Sequence, residues 1–471
     1  MDSSIIIEQS GIEFGTSGAR GLVTQFSNEV CFAFTLAFLS TQGDAKRIAL
    51  AIDNRPSSPA IARACFSAAR TVGVEVDFYG VIPTPALAFK SQEDSVPAIM
   101  VTGSHIPFDR NGLKFYTKTG EISKSDEREI LSAKVYIDSL TLLPLPEFSK
   151  RAYERYLERY LSVFSDDLLQ GKKVGVYQHS SAGRELYPEL FKALGAEVIC
   201  LGYSDNFIPI DTEAVGEADR EQAKVWAKEY CLDAIFSTDG DGDRPLLADE
   251  NGNYFTGDVL CLLAAKSLEI EALSVPVSCI SSIEKTDFFK EVIRTKIGSP
   301  YVIEAFKDLQ EKHNRVAGFE ANGGFLLASD ICIAKNKLSS LATRDAILPV
   351  LAVFSLAGKK NLSNLLGCLP QRFTHSDRLQ NIDKGLSLSI INLGAEELDK
   401  LLFIMGLEGL AVVDSIDIDG LRLTFSNEDV VHIRPSGNAP ELRCYTESNN
   451  ILNAKSLADK VLVSIKQHIK V

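Results

Sequence analysis

Three aspartates at alternate positions, within Asp239-Gly-Asp-Gly-Asp-Arg244, form the sharpest metal-binding pattern in the sequence. Carboxylates at this spacing, with glycines between them, can converge on one divalent cation, and Mg²⁺ prefers such hard oxygen ligands. A calcium-binding EF-hand is one alternative, but its sixth position requires Gly and is Arg244 here. The flanks, 232–236 and 245–247, look like strands, whereas an EF-hand requires helices. The pattern therefore favours magnesium over calcium or a metal-free acidic turn.

A second segment, Val101 to Tyr116, contains Thr102-Gly-Ser-His-Ile-Pro107. A regular helix is excluded because Pro107 lacks a backbone donor and Gly103 is favoured where the backbone is unusual. Apolar residues on both sides predict that the segment joins two buried strands. We expect an exposed loop with Ser104 at its tip, which is a common placement for a reactive side chain.

Three further loops could bind anions or hydroxyl groups. Residues 11–21 carry four glycines around Arg20, so backbone N–H groups and a guanidinium could hold an anion, or the glycines could form a plain turn. The stretch 434–440 begins with Arg434 directly after a predicted strand, and the neutral donors of Ser436, Gly437 and Asn438 could complete a phosphate cradle. Within 318–324, Glu320 and Asn322 are spaced to grip vicinal hydroxyls, with an ordinary turn as the alternative.

The chain has 471 residues, with 45% hydrophobic and 24% charged residues, which is typical of a globular protein of several domains. The net charge of −14 argues against a nucleic-acid partner. The longest apolar run is too short to cross a membrane, and the first residues do not have the pattern of an export signal. Nine scattered cysteines without a C-x-x-C pair predict reduced, buried thiols. A cytoplasmic location is expected.

Alternating strand and helix patterns predict repeated α/β units. The first runs from Arg47 through a helix at 60–71 to Gly80, and the second from Lys173 through a helix at 184–194 to Gly202. A third, looser copy is predicted from strand 275–280 through a helix at 286–293 to a strand at 301–304. The last part instead predicts five strands, at 373–377, 411–418, 420–425, 430–434 and 442–446, with helices at 395–405 and 454–469.

The fold class is therefore α/β, with three related mixed α/β domains and a smaller C-terminal α+β domain. We place the domains at 1–146 with the serine loop, 147–251 with the metal loop, 252–368 with the loop containing Glu320, and 369–471 with the loop containing Arg434. Segment 140–146, which carries prolines, and the helix at Arg151–Leu161 support the first boundary.

In this order, the four loops resemble the signatures of the α-D-phosphohexomutase family, which includes phosphomannomutases and phosphoglucomutases. The resemblance covers nearly the whole chain, and it implies four domains around a central cleft. It further implies a phosphoserine at Ser104, which with Asp239, Asp241 and Asp243 would bind Mg²⁺. Roles in proton transfer or charge stabilisation would fall to Arg20, His105 and Lys114. The implied substrate contacts are Arg244, Lys296, Glu320, Asn322, Arg434, Ser436, Gly437 and Asn438.

The chain departs from the family pattern at several positions. Asn322 stands where Ser is usual, Gly324 where His is frequent, and Asn438 where Thr is commoner. Neither Ser299 nor Pro300 is basic, although relatives often carry a basic residue there. Gly324 has no side chain, so no proton-transfer role can be assigned to it. His105 could instead cap its loop, and Lys114 could be a solvated strand residue.

The resemblance implies an intramolecular phosphotransferase that interconverts hexose 1-phosphate and hexose 6-phosphate through a bisphosphorylated sugar. Small-molecule sugar phosphates would be its partners, with mannose favoured and glucose also accepted. The alternatives are a phosphoglucomutase or amino-sugar phosphomutase of the same family, a magnesium-dependent sugar-phosphate phosphatase, and a non-catalytic sugar-phosphate sensor. A monomer and a homodimer are both compatible with the sequence.

Overall fold

The computed structural model describes residues 2–436 and 440–469. The predicted phosphate-binding residues Gly437 and Asn438 therefore lie outside the described residues. Within the described part, four main β-sheets follow one another along the chain, and each is flanked by helices. The mixed α/β architecture predicted from the sequence is confirmed.

The first region is built on a seven-stranded sheet. Its strands are β1 (Glu13–Phe14), β2 (Ala19–Leu22), β3 (Arg47–Ile52), β4 (Glu75–Val81), β5 (Ala98–Val101), β6 (Arg110–Thr117) and β7 (Gly120–Glu121). Its helices are α1 (Ser3–Ser10), α2 (Asn28–Thr41), α3 (Ser58–Thr71), α4 (Thr84–Asp94) and α5 (Lys124–Ser132). The strand order is β1-β2-β6-β5-β3-β4, and β7 pairs with β6. Strands β4, β3 and β5 are parallel, and β6 returns antiparallel to β5.

The second region has a four-stranded sheet of order β11-β10-β8-β9. Its elements are α6 (Arg151–Leu161), β8 (Lys173–His179), α7 (Leu186–Ala193), β9 (Glu197–Tyr203), α8 (Glu217–Tyr230), β10 (Ala234–Thr238) and β11 (Pro245–Ala248). Strands β9, β8 and β10 are parallel, whereas β10 and β11 form an antiparallel hairpin around the three aspartates. The two strands predicted beside the aspartates are thus confirmed, and the EF-hand alternative is wrong.

The third region has a five-stranded sheet of order β13-β12-β14-β15-β18 and a separate hairpin, β16-β17. Its elements are α9 (Gly257–Ser267), β12 (Ala272–Pro276), β13 (Glu291–Thr295), α10 (Ser299–Glu304), α11 (Phe306–Gln310), β14 (Val316–Phe319), β15 (Phe325–Leu327), β16 (Ile331–Ile333), β17 (Asn336–Leu338), β18 (Leu341–Asp345) and α12 (Ile347–Ala357). Strands β13, β12 and β14 are parallel. This region was predicted least accurately: 291–295 is a strand instead of a helix, and 299–304 is a helix instead of a strand. Pro300 lies in the first turn of that helix, where its fixed φ and missing N–H are tolerated.

The C-terminal region is a five-stranded antiparallel sheet of order β19-β23-β22-β21-β20 covered by helices. Its elements are β19 (Phe373–Gln380), α13 (Lys384–Glu396), α14 (Leu398–Ile404), β20 (Val412–Ile416), β21 (Leu421–Phe425), β22 (Val430–Pro435), β23 (Glu441–Ser448) and α15 (Ile451–His468). All five predicted strands are present. Helix α13 was missed, although Asp383 caps its N-terminus by accepting a hydrogen bond from Leu386 N, as such a residue commonly does.

The clusters of buried hydrophobic side chains do not correspond one to one with the four main sheets. One continuous cluster of buried side chains runs from Ala49 to Leu369 and includes residues of the first three regions. A second cluster, between Ile6 and Ile137, belongs to the first region alone. A third cluster, between Ile382 and Ile465, is confined to the C-terminal region. The first three regions therefore share a core, and the fourth has its own.

Two further predictions from the sequence concern the state of the cysteines and the presence of membrane-spanning helices. All nine cysteines are free thiols, as predicted. The prediction that they are buried was wrong for four of them, since Cys200, Cys231, Cys332 and Cys368 are exposed. Among the described residues, every helix is too short or too polar to span a bilayer.

Two buried histidines predict acid sensitivity of the fold. The rings of His179 and His432 are buried and donate Nε2–H to the carbonyls of Thr238 and Asp419. Burial lowers the pKa of each ring from 6.5 to about 4, because the charged form loses its hydration. The unfolded chain therefore binds more protons than the folded chain between these values. Above pH 6.5 the folded state has its full stability with respect to these two rings. As the pH falls towards 4, the free energy of unfolding decreases by on the order of 3 kcal/mol for each ring.

Urea unfolding measured at a series of pH values should show this loss. His179→Gln, which removes the titrating ring, is expected to make the midpoint less dependent on pH in this window. His468→Gln at an exposed position is the matched control. Identical pH profiles for wild type and His179→Gln would contradict the assignment to His179.

Candidate active site

The three central loops of the site follow parallel strands of three successive sheets. Ser104 lies after β5, Asp239 after β10 and Glu320 after β14. Loops at the carboxyl ends of parallel strands commonly form the ligand-binding crevice of α/β proteins. In this protein the three loops converge between the sheets, where hydrogen bonds and ion pairs join their side chains.

Ser104 lies at the bottom of this crevice. Its side chain is fully buried, so the predicted exposure of this residue was wrong. Exposure was overestimated because the covering residues come from a distant part of the chain: Ser104 Oγ donates a hydrogen bond to Asp239 Oδ2 at 2.6 Å. The Ser104 φ angle of 54° is left-handed, which is uncommon for a residue other than glycine. Non-glycine residues in this conformation cluster at functional sites.

Arg55 holds the backbone of the serine loop. Its guanidinium is buried and donates to four carbonyl oxygens, those of Ser104, Ile106, Pro107 and Arg110. Asp53 Oδ2 accepts from Arg55 Nε at 3.2 Å and also from Thr102 Oγ1 at 2.8 Å. Thr102 Oγ1 in turn accepts from Ser104 N. This network fixes the conformation of the loop around Ser104.

The three aspartates are fully buried, and a ligand oxygen from each lies within 4.8 Å of the others. The turn packs closely on the serine loop: a Cβ at Gly240 would lie 2.6 Å from Ser104 O, so only glycine fits there. Oδ1 of Asp241 and Oδ1 of Asp243 are buried and accept no hydrogen bond from the described residues. Buried carboxylate oxygens are normally satisfied, so these two atoms fit a bound divalent cation.

The carboxylates of the triad repel one another and attract the cations around them. Burial raises the pKa of Asp239 well above its ordinary value, and repulsion from Asp241 and Asp243 raises it further. Lys114 Nζ lies 2.6 Å from Oδ2 of both Asp241 and Asp243, so one positive charge is shared between two of the three carboxylates. Lys114 is buried, so the alternative of a solvated strand residue was wrong. A cation at the triad would offset the remaining charge.

A positively charged wall faces the serine. Arg244 Nη1 donates to His105 Nδ1 at 2.8 Å, and that nitrogen lies 3.3 Å from Ser104 Oγ. Because an arginine only donates, His105 Nδ1 is unprotonated and its ring proton lies on Nε2. Burial, together with the charges of Arg244 and Arg344, lowers the pKa of Arg20 to about 10. Nη2 of Arg20 is buried without a hydrogen-bond partner among the described residues, and it is a candidate donor to an anion.

The loop after β14 carries Glu320 and Asn322, both nearly buried. Asn322 Oδ1 accepts from Gly324 N at 3.0 Å, which closes the turn. Glu320 Oε2 lies 3.0 Å from Arg344 Nη1, and Arg344 Nε lies 3.0 Å from Asp243 Oδ2. This loop and the aspartate loop are therefore joined through Arg344.

Arg434 lies at the end of β22 in the C-terminal sheet. Its Nη1 donates to Asp419 Oδ2 at 2.9 Å, and the same oxygen accepts from Ile297 N at 3.0 Å. Arg434 Nε is buried without a hydrogen-bond partner among the described residues, so it can serve an anion. Ser436 is buried beside it, while Lys296 is exposed and lies over the Tyr301 ring. The C-terminal loop and the segment 296–300 thus meet at Asp419.

Three residues of the site were not found by sequence reasoning: Arg55, Arg344 and Asp419. Arg55 follows the buried strand β3, and an arginine in such a loop was a usable signal. Arg344 lies inside an apolar strand-to-helix segment, and Asp419 lies in a short turn, so neither has a local pattern that indicates a ligand.

The arrangement suits transfer of an anionic group. A buried serine hydroxyl, a carboxylate triad and a wall of arginines and a lysine lie in direct contact. Phosphoryl transfer depends mainly on positioning and on electrostatic stabilisation, and this assembly can provide both.

Family models, similar sequences and solved structures all point to the same group of proteins. Residues 11–138 match the family model described as phosphoglucomutase/phosphomannomutase, alpha/beta/alpha domain I, and residues 256–373 match domain III. A phosphomannomutase from Salmonella muenchen is 52% identical over 470 residues, covering 98% of each chain. One from Sinorhizobium fredii is 39% identical, covering 93% of this chain and 96% of the relative. The structure of a putative phosphomannomutase from Thermus thermophilus has a TM-score of 0.74 at 20% identity, covering 98% of this chain and 99% of that one.

Proposed function

The chain belongs to the phosphoglucomutase and phosphomannomutase family, and we propose on that premise that Ser104 carries the phosphoryl group that it exchanges with a hexose phosphate. As a member of this family it is a phosphohexomutase, and we propose mannose 1-phosphate and mannose 6-phosphate as its substrates. The observation that carries the proposal is the 2.6 Å hydrogen bond between Ser104 Oγ and Asp239 Oδ2. It brings the reactive hydroxyl to the carboxylate triad.

We assign the triad to Mg²⁺. Asp239, Asp241 and Asp243, with the phosphate on Ser104, would hold the ion. Oδ1 of Asp241 and Oδ1 of Asp243 accept no hydrogen bond from the described residues, which supports this assignment. When bound, Mg²⁺ would supply positive charge to the transferring phosphoryl group. Lys114 already pairs with the other oxygens of Asp241 and Asp243, so its role is to stabilise charge.

In the first half-reaction, a sugar hydroxyl attacks the phosphorus on Ser104. The O–P bond to the sugar forms, the bond to Ser104 Oγ breaks, and the hydroxyl proton must leave the sugar while the serine oxygen gains one. His105 Nδ1 is unprotonated and 3.3 Å from Ser104 Oγ, so we propose that His105 accepts the proton of the sugar hydroxyl at Nδ1 and passes it to Ser104 Oγ. Arg20 and Arg244 face the same group and offset its negative charge.

The second half-reaction returns a phosphoryl group from the other end of the sugar to Ser104. We propose that Glu320 and Asn322 bind sugar hydroxyls in both orientations. The phosphate that is not transferred would be held by Arg434, Ser436, Gly437 and Asn438, with Lys296 at the rim. The unpartnered Arg434 Nε supports this assignment.

The division into domains at residues 146, 251 and 368 is proposed together with this function, since each range supplies one loop of the site. A cytoplasmic location and a monomeric or homodimeric state stay predictions.

Coupled assays with mannose 1-phosphate, glucose 1-phosphate and glucosamine 1-phosphate test the function. We expect turnover in the presence of Mg²⁺, with the highest kcat/KM for mannose 1-phosphate. A higher value for glucose or glucosamine would reassign the substrate within the family. Stoichiometric release of inorganic phosphate would instead indicate a phosphatase, and binding without turnover would indicate a sensor.

A further inference from the structure

Arg344 is among the largest fully buried side chains of the protein, with 1% of its surface exposed. It lies in β18, at the edge of the third sheet. An arginine that loses its hydration needs charged or polar partners, because an unpaired buried charge strongly destabilises the folded state. Its contacts therefore show which groups compensate for its burial.

The guanidinium contacts three different regions of the chain. Nε lies 3.0 Å from Asp243 Oδ2 in the aspartate loop, and Nη1 lies 3.0 Å from Glu320 Oε2 in the loop after β14. Nη1 also donates to Ser299 Oγ at 3.1 Å, and Nη2 donates to Ser17 Oγ at 3.2 Å in the first glycine-rich loop. One rigid, planar group thus fixes the relative positions of four loop segments.

Space for this side chain is provided by Gly324. A Cβ at position 324 would lie 2.5 Å from both Cγ and Cδ of Arg344, which is closer than atoms can approach. Gly324 N is meanwhile tied to Asn322 Oδ1, so the backbone is not free to move away. A side chain at 324 and the observed position of Arg344 exclude each other.

The charges on both sides of Arg344 depend on it. Asp243 Oδ2 lies 3.0 Å from Arg344 Nε and 2.6 Å from Lys114 Nζ, so the guanidinium is one of two cations in close contact with this buried carboxylate oxygen. Without the guanidinium, Asp243 and Glu320 would be two buried carboxylates with one fewer positive charge between them.

We infer that Arg344 is a positioning residue that sets the separation between the metal-binding carboxylate Asp243 and the sugar-binding carboxylate Glu320, and that Gly324 is required to leave it room. The inference rests on the proposed function, which assigns Asp243 to the metal and Glu320 to the sugar. Beyond that function, the inference adds Arg344 as a residue that links metal binding to sugar binding.

The test uses Arg344→Ala, Arg344→Lys and Gly324→Ala in the full chain. Calorimetric titration with Mg²⁺ alone and with mannose 6-phosphate measures each binding event without turnover. Loss of a group that orients a metal ligand typically costs 10–100-fold in affinity or activity, so we expect Arg344→Ala to weaken Mg²⁺ binding and mannose 6-phosphate binding by about 10-fold or more. Arg344→Lys should recover part of both affinities, because a single ammonium keeps the charge but not the planar fork.

Gly324→Ala should weaken both binding events in wild type and have little further effect in Arg344→Ala, where the opposing Cγ and Cδ are gone. This variant keeps the test decisive if Arg344→Ala does not fold. Arg159→Ala is the control, since Arg159 is a buried arginine that contacts Ser339 away from the site.

Mg²⁺ and mannose 6-phosphate affinities within twofold of wild type in folded Arg344→Ala would overturn the inference. Additive effects of Gly324→Ala and Arg344→Ala would overturn the part assigned to Gly324. Absence of mutase turnover in the wild type would count against the proposed function alone, because the Mg²⁺ titration is read without any reaction.

Discussion

Replacement of Ser104 by Ala is expected to abolish turnover, with kcat falling by about 10⁴-fold or more, as is typical when a nucleophile is removed. The alanine side chain cannot form a bond to phosphorus, and the neighbouring hydroxyls of Thr102 and Thr84 already donate hydrogen bonds to Asp53 Oδ2 and Asp241 Oδ2. Intact-mass measurement should show that wild type, incubated with a hexose bisphosphate, gains the mass of one phosphoryl group. The variant should gain none.

Ser95→Ala is the matched control for this experiment. Ser95 is exposed and has a φ angle of 53°, nearly the same left-handed conformation as Ser104 at 54°. The two substitutions therefore place alanine in equally unfavourable backbone conformations, and only one removes the hydroxyl of the site. Turnover by Ser104→Ala at a rate close to that of Ser95→Ala would exclude a phosphoserine mechanism.

Neutralising one carboxylate of the triad, by Asp241→Asn, is expected to reduce kcat by about 10²–10³-fold, the usual cost of removing one electrostatic contact to a transferring group. The amide keeps the shape of the side chain but loses the charge that pairs with Lys114 and, in our proposal, with Mg²⁺. A second readout does not depend on turnover. Added Mg²⁺ should raise the thermal unfolding midpoint of wild type, because a ligand that binds only the folded state stabilises it.

This Mg²⁺-dependent stabilisation should be lost in Asp241→Asn. In the absence of metal, the variant should be less stable than wild type, because Lys114 loses one of its two buried carboxylate partners. Asp249→Asn serves as the control: Asp249 is buried in the turn after β11 and accepts hydrogen bonds from Asn251 N and Asn253 N. If Mg²⁺ stabilised Asp241→Asn as much as it stabilises wild type, the metal site would have to lie elsewhere.

The chemistry-bearing loops could be recognised from the sequence because each has a local pattern. Three aspartates separated by glycines, and a serine between Gly103 and Pro107, restrict the backbone and the chemistry at the same time. The flanking strands were also predictable, since β10 and β11 are short and apolar. The roles assigned to individual residues stay predictions, because they depend on bound ligands.

Other features depend on contacts between distant residues and have no local signal. The burial of Ser104 requires Asp239, which is 135 positions away, and the ion pair of Arg344 with Asp243 spans 101 positions. The third region was assigned wrongly because, in short segments such as 291–295 and 299–304, the apolar residues fit a helical period and a strand period equally well. Tertiary packing decides between helix and strand in such segments.

The hydrophobic cluster shared by the first three regions also has a consequence for how the chain assembles as it leaves the ribosome. The N-terminal region has a hydrophobic cluster of its own and can begin to compact early, whereas the other face of its sheet packs on α4 and belongs to the cluster that extends to Leu369. That shared cluster is complete only when more than three quarters of the chain has been synthesised, as counted from Leu369 in 471 residues. The C-terminal region, with its own cluster, has no such dependence and can fold last and alone.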